Sequence, residues 1–346
     1  MIKHCFTCIL FLLLLGAMPA GYAQAPERIE THKEGIIENL FGPGDEEFVC
    51  YNKVHRNFYS GIFGLTIALA VAIYGRYHLK MRMANKLELK NKIIEEKNKD
   101  ITDSISYAKY LQEAILPPID RIGACFQESF VYYKPKDIVA GDFYWLEVCE
   151  DWTFIAVADC TGHGVPGALV SVVCSNALNM AVKEFGILDT GKILDKTREM
   201  VKATFEKSAN EIADGMDISL LAVNKKEQLI RWSGANNPLW FYDGTAIQKI
   251  KADKQPIGKT HHPHPFTTHT IDYNKGNIFY LFTDGYADQF GGPEEKKLKH
   301  KPLETLLAAN TSKPLSEQHK IVNDNFDNWK GHLQQIDDVT IIGVKV

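Results

Sequence analysis

The sequence predicts an α/β (α+β) domain built from two packed, mainly antiparallel sheets flanked by helices, preceded by a membrane helix and a coiled-coil-like linker helix. Over residues 117–346, blocks of strand-like apolar segments alternate with pairs of helix-like segments, as two sheets covered by helices require. Upstream, an uncharged apolar run covers residues 58–74, and a charged segment free of Gly and Pro covers residues 79–115. The first run is typical of a membrane helix, and the second of a solvated helix.

Composition narrows the classes of function. The net charge is −4 and no basic tract is present, so nucleic acid is not an expected partner. The seven cysteines show neither the spacing of a metal site nor that of a disulfide framework. We therefore expect the main domain to lie in a reducing compartment.

Residues 1–25 have the pattern of a secretory signal peptide. Lys3 supplies a positive start, Ile9 begins an apolar core, and small residues precede Ala25. An uncleaved first membrane helix is the alternative, although the apolar stretch is short for that. The next segment, residues 26–57, is polar and too short to bury a core, so we predict a short extracytoplasmic segment without a sensor domain.

Residues 58–75 are predicted to form the transmembrane helix. The uncharged run of roughly 17 residues is near the lower limit for crossing a bilayer, and a buried core helix is the alternative. Arg76, Lys80 and Arg82 follow it at once. The positive-inside rule then places the C-terminal side in the cytoplasm, anchored in the inner (cytoplasmic) membrane by a single pass.

Residues 76–116 are predicted to form a helical, coiled-coil-like linker. A heptad reading of this segment places Asn91 and Asn98 at a positions, where Asn favours two chains paired in register. Lys90 and Glu95 then fall where an interchain ion pair can form. The interpretation is a homodimer through the linker helix; a solitary charged helix is the alternative.

The chemistry of the domain begins at Asp159. The apolar run Phe154-Ile-Ala-Val-Ala158 reads as a buried strand that stops at Asp159, and a turn rich in glycine leads into a helix-like segment over residues 168–185. A carboxylate at a strand end attracts a metal ion, and backbone N–H groups at a helix start attract an anion.

A second carboxylate, Asp142, starts the preceding strand. If Glu150 and Asp151 form the turn between the two strands, Asp142 lies opposite Asp159. Directly opposed residues have Cβ atoms about 5 Å apart, and two ionised carboxylates at that distance repel unless a proton or a cation lies between them. A polar hairpin end in water is the alternative.

Three further carboxylates have the same kind of placement. Asp284 ends the strand-like segment 277–283, and Asp337 and Asp338 start the segment 339–346. Because the end of one strand and the start of its antiparallel neighbour meet, we expect all these carboxylates at one sheet edge. Oxygen ligands alone suit Mg²⁺ or Mn²⁺ rather than zinc.

These stretches carry a family resemblance. It rests on Ala140-Gly-Asp-Phe-Tyr144, Asp159-Cys-Thr-Gly-His-Gly-Val-Pro-Gly-Ala168, Ser233-Gly-Ala-Asn-Asn-Pro238, Thr283-Asp-Gly285 and Asp337-Asp-Val-Thr340. Together they resemble the metal-dependent (type 2C, PPM) protein serine/threonine phosphatases, most closely their bacterial SpoIIE/RsbU branch. Tyr107-Ala-Lys-Tyr-Leu-Gln-Glu-Ala-Ile-Leu-Pro117 resembles the helix that precedes that catalytic domain.

The resemblance implies an α-β-β-α sandwich and a hydrolase that removes phosphate from Ser or Thr by a water activated between two Mn²⁺ or Mg²⁺ ions. It implies a phosphorylated regulatory protein in the cytoplasm, such as an anti-sigma factor antagonist, as substrate. The implied catalytic residues are Asp142 and Asp159, which share the metals. The further implied ligands are the Cys160 carbonyl, Asp284 and Asp337, with Asp338 as the rival of Asp337.

Two points stay open at this level. Lys134 and Lys136 are candidates for attracting the substrate phosphate, since lysine binds phosphate as a point charge; a surface pair flanking Pro135 is the alternative. The alternative function is a catalytically silent docking module in a signalling pathway. The complete set of carboxylates argues against it.

Overall fold

A computed structural model describes residues 44–206 and 214–346. The predicted signal peptide and most of the predicted extracytoplasmic segment lie outside the described residues. The chain divides into two compact units, residues 1–91 and 92–346. The second unit takes in the end of the predicted linker as well as the predicted phosphatase domain.

Helix α1 (Gly44–Glu113) contains the predicted membrane span and nearly all of the linker in one run of 70 residues. No proline interrupts it, and Pro117 and Pro118 follow shortly after its end. Its apolar side chains over the predicted span are exposed, Leu65 to 73%. By length and composition, this stretch is a possible membrane span.

The second unit contains the remaining helices and the strands. The helices are α2 (Ile119–Cys125), α3 (Gly164–Lys183), α4 (Thr190–Phe205), α5 (Gly285–Asp288), α6 (His300–Ala309) and α7 (Leu315–Lys330). The strands are β1 (Glu128–Lys134), β2 (Phe143–Cys149), β3 (Trp152–Cys160), β4 (Met216–Asn224), β5 (Leu229–Ala235), β6 (Leu239–Tyr242), β7 (Ile247–Ile250), β8 (His269–Asp272), β9 (Ile278–Phe282), β10 (Phe290–Gly291), β11 (Lys296–Lys297) and β12 (Val339–Lys345).

Two five-stranded sheets form the centre of this unit. One has the order β1-β12-β9-β6-β7, the other β2-β3-β4-β5-β8, and the strand pairs within both are antiparallel. Strands β10 and β11 form a separate small hairpin. This arrangement confirms the predicted fold class of two antiparallel sheets with flanking helices.

Strand β3 shows why the run around Ala156 is apolar throughout. Phe154 and Ala156 pack in a cluster with residues of α3 and α4, whereas Ile155 and Val157 pack in the cluster between the two sheets. Successive side chains of a strand point to opposite faces, so a strand covered on both sides must be apolar at every position. A third cluster joins the first sheet to α6 and α7.

The sequence prediction misses the shortest elements. Helices α2 and α5 and the β10–β11 hairpin are absent from it, because elements of two to seven residues are too short to show a period. Only Ile122 of α2 is buried. Helix α4 runs from Thr190 to Phe205, and residues 207–213 lie outside the described residues.

The side chain of Gln112 connects the end of α1 to the domain by hydrogen bonds. Gln112 is buried, and its amide Nε2 donates to the Ala140 carbonyl (2.6 Å) and to Ser171 Oγ (3.1 Å). Its Oε1 accepts from the Ala140 backbone N–H (3.1 Å). Gln112 therefore satisfies both backbone groups of Ala140, which lies two residues before Asp142.

Candidate active site

The β2–β3 hairpin has the register predicted from its sequence. Phe143 pairs with Ala158 and Leu146 with Ile155. Asp142 immediately precedes β2 and Asp159 lies near the end of β3, so the two acids meet at one end of the hairpin. On the other side of β3, Asp159 pairs with Asp217 of β4.

Asp284 and Asp337 belong to the other sheet, which corrects the prediction of one shared sheet edge. Asp284 follows β9 and Asp337 precedes β12, and these two strands are antiparallel neighbours. The acids are therefore divided between the ends of two sheets that face each other across the sandwich. Local sequence reveals hairpin register, whereas partners far apart in the chain depend on long-range packing.

Asp142 joins the two sheets. Its side chain is only 2% exposed, and its Oδ2 accepts hydrogen bonds from Thr283 Oγ1 and Thr340 Oγ1, both at 2.7 Å. Burial raises the pKa of Asp142 well above its usual range, the two hydroxyls oppose this, and the nearby Asp338 adds to it. Thr283 and Thr340 were not singled out from the sequence, although both lie inside the quoted motifs.

The carboxylates around Asp142 repel one another. Burial, and then the charges of Asp142 and Asp284 among others, raise the pKa of Asp159 to about 10. Burial also raises the pKa of Asp284, to which Asp288 adds and which His300 opposes. Such a set of acids is stable in its ionised form only with a cation among them.

Glycines allow the two acid-bearing loops to interlock. A Cβ on Gly167 would lie 2.2 Å from the Gly162 carbonyl oxygen and 2.9 Å from Gly141 Cα. A Cβ on Gly141 would lie 2.3 Å from the same oxygen. Gly162 has φ +85°, which glycine adopts without strain. The loop before Asp142 and the turn after Asp159 therefore fit together only while these positions carry no side chain.

The structure gives Asp337 and Asp338 different surroundings. Asp338 is 2% exposed, its Oδ1 accepts from the Lys136 backbone N–H and its Oδ2 from that of Gly141, both at 2.7 Å. Both oxygens thus hold the loop that leads to Asp142. Asp337 is less buried, and its charge raises the pKa of Asp142 and of Asp159. This arrangement favours Asp337 as the ligand and Asp338 as a positioning group.

The two candidate phosphate-binding lysines also differ. Lys134 Nζ lies 2.5 Å from Asp327 Oδ1 and 5.3 Å from the centre of the Phe326 ring, so a carboxylate already balances its charge. Lys136 Nζ lies 3.1 Å from His163 Nε2, a contact with an imidazole. The arrangement therefore favours Lys136 over Lys134 for attracting a phosphate.

A cavity of about 260 Å³ opens beside Asp159. Its lining includes Asp217, Thr161 and Pro256. Asp217 Oδ1 accepts from Asn236 Nδ2 (2.8 Å), and burial raises the pKa of Asp217. No local pattern in the sequence indicates this pairing, although Asn236 lies inside the quoted Ser233–Pro238 motif.

The donor set fits Mg²⁺ or Mn²⁺ by its chemistry. The side chains brought to the site are carboxylates, which these ions prefer. Burial and the neighbouring Cys174 raise the pKa of the Cys160 thiol, which leaves the Cys160 carbonyl as the suitable donor. In the described part of the chain, no three His, Cys, Asp or Glu side chains already converge tightly enough to hold one ion.

The raised pKa of Asp159 predicts a pH-dependent stability. A carboxyl group whose pKa is higher in the folded state stabilises the fold most below its unfolded pKa of about 3.9. That stabilisation is lost as pH rises toward the pKa of the folded state. In chelator, we expect the unfolding temperature of the full-length chain in detergent to fall between pH 6 and pH 9. Asp159→Asn should flatten that fall and be more stable at pH 8 by about 1 kcal/mol or more.

Thermal scans followed by tryptophan fluorescence measure both quantities. Asp151→Asn is the matched control, because Asp151 is exposed at the turn at the opposite end of the same hairpin. The control should keep the slope of the unmodified chain. If the unfolding temperature of Asp159→Asn falls with pH as steeply as that of the unmodified chain, the raised pKa of Asp159 is contradicted.

Comparison with known proteins agrees with this geometry. The family model for stage II sporulation protein E (SpoIIE) matches residues 150–346. The SiaA PP2C domain of Pseudomonas aeruginosa is 31% identical, with a TM-score of 0.66, over 72% of this chain and 98% of that chain. Among curated protein sequences, none matches this chain significantly.

Two solved structures of lower identity share the fold. The PP2C domain of Bacillus subtilis SpoIIE with a fragment of its regulatory domain is 15% identical, with a TM-score of 0.52, over 63% of each chain. The RsbU and RsbW domains of a Mycobacterium tuberculosis protein are 17% identical, with a TM-score of 0.51, over 63% of this chain and 59% of that chain. The chain therefore belongs to the SpoIIE/RsbU branch of the PP2C-type (PPM) phosphatases.

Proposed function

We propose that this chain is a metal-dependent protein serine/threonine phosphatase that acts on a phosphorylated regulatory protein in the cytoplasm, such as an anti-sigma factor antagonist. The observation that carries the proposal is the buried Asp142, whose carboxylate is held by Thr283 and Thr340 from the other sheet. This contact brings the acidic ends of both sheets to one place.

The residues would divide the work as follows. Asp142 and Asp159, with the Cys160 carbonyl, and Asp284 and Asp337 would hold two Mn²⁺ or Mg²⁺ ions. When bound, such ions would lower the pKa of a coordinated water and neutralise charge on the phosphoryl oxygens. Asp338 keeps the loop before Asp142 in place through two backbone N–H groups.

The alternative of a silent docking module gains no support from this arrangement. Burying acids costs free energy unless a partner compensates for it. The chain places the buried Asp142 beside the partly buried Asp159, and a third carboxylate, Asp338, holds the loop before Asp142. That costly arrangement favours an ion-dependent reaction over docking.

Metal dependence is the direct test of the proposal. Full-length protein in detergent should release phosphate from p-nitrophenyl phosphate and from a phosphoserine peptide. Chelation should stop both reactions, and Mn²⁺ or Mg²⁺ should restore them. Asp159→Asn and Asp337→Asn should each lower the rate at least about a hundredfold, because metals supply several kcal/mol of charge stabilisation. Asp338→Asn should lower the unfolding temperature in chelator more than Asp337→Asn does.

Activity that survives exhaustive chelation would overturn the metal-dependent mechanism. Near-normal turnover by Asp159→Asn would remove that residue from the site. A dead Asp338→Asn protein beside an active Asp337→Asn protein would show that the two roles are exchanged.

The proposal includes an anchor in the inner (cytoplasmic) membrane. Residues 58–75 lie in an exposed apolar stretch of α1, and Arg76, Lys80 and Arg82 follow on the side of the catalytic domain. Helix α3 is also long and apolar enough to cross a membrane, but 56% of its most apolar stretch is buried, as in a core helix. A single pass with the phosphatase inside follows from the charge asymmetry.

Reporter fusions test this topology. Alkaline phosphatase, which is active only when exported, should be inactive when fused after Val346 and active when fused near Glu47. A fluorescent protein that matures only in the cytoplasm should give the reverse pattern at the two positions. If the two reporters agree on an exported C-terminus, the proposed localisation is wrong.

Control through the linker helix is the last part of the proposal. We place a homodimer contact along residues 76–113 of α1, with Asn91 and Asn98 on the seam. The buried Gln112 then connects the linker by hydrogen bonds to the backbone of Ala140, two residues from Asp142. A helix that is stiff up to this contact can transmit a twist, and a few kcal/mol between two states suffices for a switch.

Insertions near Lys97 test this control. One, two, three or four extra residues rotate the domain relative to the anchor, and seven restore the heptad phase. Phosphatase activity in membranes should vary with phase and return at seven. Gln112→Ala should reduce the difference among insertions, whereas Lys109→Ala, an exposed change on the same helix, should not. Equal activity for all five insertions would make the helix a passive tether.

A further inference from the structure

His163 forms a bridge between two side chains beside the candidate active site. Its Nε2 lies 3.1 Å from Lys136 Nζ, and its Nδ1 lies 2.8 Å from Asp137 Oδ2. His163 is the N-cap residue of α3, yet its ring makes no capping hydrogen bond to that helix. The ring is instead engaged by the loop between β1 and β2. We call this set the Lys136–His163–Asp137 bridge.

The chemistry of the three groups assigns the protons. A lysine ammonium only donates hydrogen bonds, so His163 Nε2 is the acceptor and the ring is neutral. The ring proton then sits on Nδ1, which donates to the Asp137 carboxylate. A neutral imidazole orients the Lys136 ammonium without cancelling its charge. Lys134 differs, because its ammonium contacts the carboxylate of Asp327.

The bridge spans the two loops that carry the catalytic candidates. Lys136 and Asp137 lie on the loop that ends at Asp142, and His163 lies in the turn that follows Asp159. Gly164 has φ +62°, and a Cβ there would lie 3.2 Å from Asp137 Oδ2. Glycine at this position adopts the positive φ without strain and lets the turn approach Asp137 closely.

We propose that His163 is a positioning residue that holds the Lys136 ammonium for the substrate phosphate, with Asp137 fixing the ring. The inference rests on the proposed phosphatase function and adds to it the group that orients the phosphate-binding lysine. A charge-assisted bond to phosphate depends on where the ammonium is held, and a flexible lysine loses affinity through the entropy of ordering its side chain. The bridge removes part of that cost before the substrate arrives.

Two conservative substitutions of His163 separate the halves of the bridge. Gln reaches as far as the imidazole Nε2, so His163→Gln keeps an acceptor for Lys136. Asn reaches only as far as Nδ1, so His163→Asn keeps the contact with Asp137 and loses Lys136. In full-length protein with Mn²⁺, Lys136→Ala should raise KM for p-nitrophenyl phosphate at least about tenfold, the scale of one hydrogen bond to a charged group. His163→Asn should raise KM about five- to tenfold, because the lysine remains but is no longer held, and kcat should stay within about threefold in both variants. His163→Gln should change KM for p-nitrophenyl phosphate by no more than about twofold.

Three controls accompany these variants. Lys226→Ala removes an exposed lysine paired with Asp151 and should leave KM unchanged. The double variant His163→Asn/Lys136→Ala should be no worse than Lys136→Ala alone, because His163 acts through that lysine. The Mn²⁺ concentration for half-maximal activity should not change in His163→Asn.

Phosphate binding gives a readout that does not depend on turnover. Titration calorimetry with inorganic phosphate in Mg²⁺ buffer should show binding weakened about five- to tenfold in His163→Asn and restored in His163→Gln. A wild-type chain without turnover would sink the proposed function, while this titration would still decide the role of His163.

Unchanged KM and phosphate affinity in His163→Asn would overturn the inference. So would effects of His163→Asn and Lys136→Ala that multiply in the double variant, or a shift in the Mn²⁺ requirement. A wild-type chain that binds no phosphate would overturn it as well.

Discussion

The contact on which the site depends is the pair of hydroxyl groups that meet the buried Asp142 carboxylate. Thr283 and Thr340 come from adjacent strands of one sheet, while Asp142 opens the hairpin of the other. Both hydroxyls donate to the same buried carboxyl oxygen at 2.7 Å, so one group connects the two sheets. These hydrogen bonds hold together the two sheet ends that carry the acids.

Loop positioning follows from the same centre. Asp338 holds the backbone of Lys136 and Gly141, Gln112 holds that of Ala140, and the glycines let the two acidic loops touch. Each device acts on the backbone within a few residues of Asp142. Because these contacts hold the backbone in place, the charged side chains can face the site.

Short-range features of this molecule were readable from the sequence, and long-range ones were not. The β2–β3 register followed from the turn at Glu150 and the alternation around it, because both are local. The division of Asp159 and Asp284 between two sheets was missed, since both follow similar apolar strands and sheet membership is decided by packing. The different surroundings of Asp337 and Asp338, which are adjacent, depend on hydrogen-bond partners that the sequence does not show.

The burial of α3 has a consequence for synthesis of the chain. This helix is long and apolar enough to resemble a membrane span, and it follows the possible span in α1 along the chain. Strands β2 and β3, which cover one of its sides, precede it in the chain. A β-hairpin forms in microseconds, far faster than residues are added during translation, so β2 and β3 can pair while α3 is still being synthesised. The order of elements thus lets α3 pack against strands that precede it in the chain as the domain folds.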